Sequence, residues 1–188
     1  ATAMWVPTMI DEIGHPVTFA LNYYQKGSYN FDLSKTVVPI PAGLRMVVGD
    51  PKNTDPTKGG AQYSCIGPDN KGSSWHYTIP SAIADGAHCV VGGTFYMQVL
   101  FPNCWDGVNL DSPNHKSHMS NVVQDQTTPF AKHCPATHSV PIAVISYQMT
   151  HKLTATDHPE KWWLSSDMDM TKEPGVSGHG DYWANVDD

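Results

Sequence analysis

The sequence predicts an all-β fold: a single β-sandwich or jelly-roll-like domain over residues 1–188, with long loops and few short helices. Three observations lead there. Runs of β-branched and aromatic residues recur along the chain, each bounded by Gly, Pro, Asn or Asp. The composition is loop-rich, with 15 Gly, 15 Pro and only 15% charged residues. No long apolar repeat of helical period is present.

The elements follow in order. Residues 17–24 (VTFALNYY) are β-branched and aromatic, and residues 44–48 (LRMVV) end at the turn signal Gly49-Asp50-Pro51. Residues 50–74, rich in Gly, Pro, Lys, Asn and Ser, read as a long surface excursion around Cys65. Residues 80–85 are enough for one helical turn. Residues 94–101 (TFYMQVLF) alternate and stop at Pro102. Residues 140–149 (VPIAVISYQM) read as one buried strand with Pro141 near its start, where proline is tolerated. Residues 161–165 (KWWLS) are a further short strand. No repeat or linker divides the chain.

Composition also excludes functions. No apolar window is long enough to span a membrane. The net charge is −7 and Arg45 is the single arginine, so a basic patch for nucleic acid has nothing to build it. The start, Ala1-Thr2-Ala3-Met4, is not a signal peptide and reads as the beginning of a processed or trimmed chain. Four cysteines at wide spacing, with no Cys-x-x-Cys pair, suit two disulfides in a secreted, extracellular protein. Three pairings are possible, and the neighbour pairing, Cys65 with Cys89 and Cys104 with Cys134, is the one expected. Four reduced, buried cysteines are the alternative.

The most informative segment is residues 101–118 (FPNCWDGVNLDSPNHKSH). It holds a cysteine, two aspartates, two histidines, a lysine and a tryptophan, and functional residues collect on loops held by a rigid scaffold. Asp106, Asp111, His115, Lys116 and His138 are candidate acid/base groups, although Asp106-Gly107 and Asp111-Ser112-Pro113 are also turn sequences. His115, His118 and His179 are candidate ligands for a divalent metal: zinc or copper through histidine, calcium if aspartates and carbonyls take part. No His-Glu-x-x-His pattern fixes such a site. Arg45, inside an apolar strand, is expected to be buried against a carboxylate or to read an anion such as a uronic acid. Trp105, Trp162, Trp163, Tyr182 and Trp183 are candidates for a sugar platform, with core filling as the alternative. Asp181 lies beside them as a substrate-binding candidate.

These segments resemble a family of secreted fungal and actinobacterial proteins known only as a domain of unknown function, nineteen ninety-six in its series. The resemblance rests on residues 5–8 (WVPT), 43–51 (GLRMVVGDP), 101–118, 134–138 (CPATH) and 179–181 (HGD), in that order. It implies an exported protein acting on cell-wall or plant polysaccharide. It also implies that Arg45, Asp106, Asp111, His115, Lys116, His118, His138, His179 and Asp181 form one constellation. Relatives carry a Gly-His-x-His stretch before the Trp-Val-Pro motif, and nothing here matches it.

Three functions compete on sequence. The first is a secreted enzyme, hydrolase or lyase, that cleaves a polysaccharide, with Arg45 or Lys116 holding an acidic sugar. The second is a non-catalytic carbohydrate-binding or wall-associated module. The third is a copper redox protein using His115, His118 and His179.

Overall fold

Buried residues of the strands at 61–66, 94–100 and 144–152 define the core, with strict alternation along 94–100. The structure, a computed structural model, describes residues 2–26, 35–124, 132–167 and 173–185. Its strands are β1 (Ala3–Trp5), β2 (Met9–Ile10), β3 (Ala20–Lys26), β4 (Arg45–Val48), β5 (Ala61–Ile66), β6 (Thr94–Leu100), β7 (Cys104–Trp105), β8 (Met119–Ser120), β9 (Val140–Pro141), β10 (Val144–Lys152), β11 (Trp163–Leu164) and β12 (Gly180–Trp183). The one α-helix among the described residues, α1 (Ile79–Ala84), is capped by the Thr78 side chain and buries Ile79 and Ala82. The fold is all-β, as the sequence predicts.

A four-stranded antiparallel sheet, ordered β3-β10-β6-β5, faces a three-stranded one, ordered β1-β12-β4. On β6, Phe95, Met97 and Val99 turn inward and are at most 1% exposed. Across the gap, Phe101 packs against Tyr147 and Tyr182, with ring centroids 4.9 and 6.0 Å away. The Tyr147 hydroxyl donates to the Asp181 carbonyl at 2.9 Å and ties the two sheets together. Each large side chain removed from water contributes roughly 1.5–3 kcal/mol. Gly180 permits the close approach, because a Cβ there would lie 2.9 Å from Val99 Cγ1.

Two smaller sheets complete the frame. β2 pairs with β11, and β7 lies between β8 and β9. The expected neighbour disulfides form: Cys65 with Cys89, and Cys104 with Cys134. Cys65 and Cys104 are both fully buried.

Four expectations are corrected. The excursion over residues 50–74 contains β5, a core strand that pairs with β6 and buries Ala61, Tyr63 and Cys65. It is drawn in where the backbones of Gly49 and Gly60 cross; a Cβ on Gly60 would lie 2.4 Å from Gly49 Cα. The run 140–149 is two strands. Pro141 offers no N–H to a ladder, the Ile142 N–H is taken by the Asn103 carbonyl, and the chain changes sheets there. The run 17–24 enters its strand only at Ala20, since Val17 N–H is already bonded to the Met9 carbonyl. Trp162 and Tyr182 are no sugar platform: they are 1% and 4% exposed, and Trp162 packs edge-on against Phe95.

Candidate functional site

β4 lies at the edge of its sheet, so the outward backbone groups of Arg45 and Val47 need partners. The loop between β7 and β8 supplies them. Arg45 N–H donates to the Leu110 carbonyl and Val47 N–H to the His115 carbonyl, both at 2.9 Å. The buried His118 closes the pattern, its Nε2–H donating to the Arg45 carbonyl at 2.8 Å. A carbonyl only accepts, so Nε2 carries a proton, and Nδ1 lies 2.8 Å from the Ser112 hydroxyl, which itself donates to Asn114 Oδ1 at 3.0 Å. Lys116 Nζ donates to the Gly49 carbonyl just beyond the strand.

The remaining loop residues hold the loop to itself. Asp106 Oδ1 accepts from the N–H groups of Val108 and Asn109, and Oδ2 from the Asn109 amide at 2.7 Å. Partial burial pushes its pKa up, but these bonds outweigh it and hold the carboxyl below the ordinary aspartate range. Trp105 Nε1–H donates to the Asn109 carbonyl at 2.6 Å. His138 Nε2–H donates to the Ser117 carbonyl at 3.0 Å and ties in the segment after Cys134. Thus Asp106, Lys116, His118 and His138 all serve the loop and the strand edge it covers.

One pair faces outward. His115 sits in the left-handed region at φ +54°, where a non-glycine residue is uncommon. Its Nδ1–H donates to Asp111 Oδ1 at 2.7 Å, and its Nε2 has no partner among the described residues. The other Asp111 oxygen lies 4.0 Å from Arg45 Nη1. Partial burial raises the Asp111 pKa, but the His115 bond, the Ser112 N–H and the Arg45 charge outweigh it, and the net shift is downward. The Arg45 side chain is 38% exposed, not buried as its apolar strand suggests. Strand alternation turns it to the outer face, where its guanidinium carbon stands 5.5 Å from the centre of the Trp183 ring.

Register assembles the rest of that face. Arg45 pairs with Trp183, Val47 with Asp181, and Asp181 with Trp5. Paired residues of an antiparallel sheet share a face, so Trp5, Asp181, Trp183 and Arg45 stand together. Trp5 and Trp183 are 51% and 42% exposed. His179 enters at the foot of β12, buried beneath Trp5 with ring centroids 5.1 Å apart, its Nδ1–H bonded to the Ser177 carbonyl. Trp5 is not among the candidate site residues read from sequence; Met4, Trp5 and Val6 are all apolar, so no alternation marks its face.

The expected metal ligands do not assemble. Both His118 nitrogens hold protein partners, and no three His, Cys, Asp or Glu side chains among the described residues gather closely enough to hold a metal ion.

Fold and site together define an all-β, disulfide-bonded domain in which a polar loop seals a strand edge beside an exposed aromatic face. The chain belongs to the family described as domain of unknown function (DUF1996), which it matches over residues 3–185. No curated protein and no solved structure matches it. No helix among the described residues is long and apolar enough to cross a membrane.

Proposed function

We propose that the outer face of β1, β12 and β4, with the adjoining loop, belongs to a secreted polysaccharide lyase acting on an acidic glycan. The observation that carries this reading is the His115–Asp111 pair beside Arg45. Asp111 holds His115 through Nδ1, leaving Nε2 as a base, while Arg45 supplies a cation for a uronate carboxylate. In the reaction, Nε2 takes the proton from the ring carbon next to that carboxylate. The electrons form a carbon–carbon double bond, and the glycosidic C–O bond breaks. The His115 imidazolium then returns the proton to the departing oxygen. Arg45 offsets the charge that builds on the carboxylate. Trp183 stacks on a sugar ring, and Asp181 accepts from its hydroxyls. Two disulfides suit export.

The test is incubation with polyuronates such as pectate, alginate and glucuronan. The new double bond is followed by ultraviolet absorbance and the products by mass spectrometry. Unsaturated products are expected, and His115→Gln lowers their rate by about 10²–10⁴-fold. Saturated products, or an unaffected His115→Gln variant, overturn the lyase reading.

One observation favours a second reading, a non-catalytic carbohydrate-binding module: Asp106, Lys116, His118 and His138 are all committed to holding the loop. That reading expects polyuronate binding, weakened by Trp183→Ala, with no product from any glycan.

A further inference from the structure

The outward face of the larger sheet has a different chemistry. Gln148 pairs with Asn22 on one side and with Gln98 on the other, and Gln98 pairs with Gln62. Four carboxamides therefore form one row across β3, β10, β6 and β5. Phe95, Met97 and Val99 point into the core, so Gln98 between them points out, and its paired neighbours share its face. Gln62, Gln98 and Gln148 are half-buried and Asn22 is exposed. None of the four has a side-chain hydrogen-bond partner among the described residues.

Aromatic rings flank the row. Tyr96, two residues from Gln98 on the same strand face, is paired with Ser64 and Thr150. Trp75, 40% exposed, meets Tyr96 edge-on with ring centroids 6.4 Å apart. At the β5 end, Gln62 and Tyr77 line a cavity of about 570 Å³ that also reaches Leu100, Val122 and Lys132.

We propose that this amide row is a binding site for a neutral, extended, β-linked polysaccharide, separate from the polyuronate face and independent of the lyase reading. An unpaired carboxamide carries both a donor and an acceptor, as a sugar hydroxyl does, and it has no charge. The row itself holds no cation to attract a uronate and no carboxylate to repel one, so it selects for hydroxyls alone. Strands in a sheet lie about 4.8 Å apart, close to the advance per sugar of an extended β-linked chain. A glycan crossing the strands thus meets one amide per sugar, with Trp75 and Tyr96 offering aromatic surface beside it.

The test is isothermal titration of the intact protein with cellohexaose, xylohexaose and mannohexaose, with a polygalacturonate hexamer as the acidic control. Binding to at least one neutral hexamer is expected. Gln98→Ala and Gln148→Ala each weaken it about five- to tenfold, whereas Trp183→Ala and His115→Gln leave it unchanged. NMR titration of the wild-type protein reads the site without relying on a variant's folding. Shifts at Gln62, Gln98 and Gln148 side-chain amides support the proposal; shifts confined to Trp5 and Trp183 overturn it. Absence of binding to all three neutral hexamers also overturns it, and leaves the lyase reading to its own assay.

Discussion

The loop from Phe101 to His118 and the outer face of β12 and β4 lie side by side, yet they use their polar residues differently. In the loop, Asp106, Lys116, His118 and, from its far side, His138 each bond to backbone or to a local amide. On the face, Arg45, Asp181 and Trp183 stand on regular strands, with His115 at their margin. Most of the polar residues in this dense segment therefore hold the loop, and the outward pair His115–Asp111 is the exception. A loop that must cover an edge strand needs many hydrogen-bonding groups for that task alone.

Substitutions on both sides sharpen this contrast. The largest effect separates two tryptophans. Trp162→Ala costs about 3–5 kcal/mol in chemical denaturation, because it empties a core site against Phe95. Trp183→Ala changes stability by less than about 1 kcal/mol but weakens polyuronate binding. Next, removing the tether of the loop by Cys104→Ala with Cys134→Ala costs about 2–5 kcal/mol. Within the loop, His118→Ala costs about 1–3 kcal/mol and speeds hydrogen exchange at the Arg45 and Val47 amides. His115→Gln leaves that exchange unchanged and costs under about 1 kcal/mol; equal effects of the two histidines would erase the distinction drawn between them.

The smallest effect is a titration. The Asp111 carboxyl is held below the ordinary aspartate value of 3.8 in the folded chain. A depressed folded pKa stabilises the protein above the unfolded pKa, and that contribution is lost as pH falls through the folded one. Carboxyl NMR should therefore show Asp111 titrating below 3.8, and Arg45→Met should move it upward.

Much of the fold was legible because its longest strands obey simple patterns. The alternation of residues 94–101 located β6, and the β-branched run before Gly49 located β4. β5 was hidden because its short sequence, AQYSCI, sits among Gly, Ser and Lys; its inward residues are confirmed only by pairing with β6. β12 is hidden because it is four residues long, begins on Gly180 and carries the polar Asp181, which leaves little strand pattern to read. Of the candidate site, residue types were visible but partners were not. Nothing local to His115 and His118, three residues apart, says that one ring turns to Asp111 and the other to the Arg45 carbonyl. That choice depends on where β4 passes, a long-range fact. The site's nearness to Trp5 likewise depends on the β1–β12 register.

The cover over β4 has a consequence for the molecule in company. With the loop in place, the Arg45 and Val47 N–H groups are occupied. Reduce the Cys104–Cys134 bond, and the loop loses the covalent link that helps keep it seated. Each molecule would then offer a bare, twisted ribbon edge to the next, and sheet could add to sheet between chains. The disulfide thus guards solitude as much as shape: reduced protein should grow sedimenting assemblies with concentration, while oxidised protein stays dispersed.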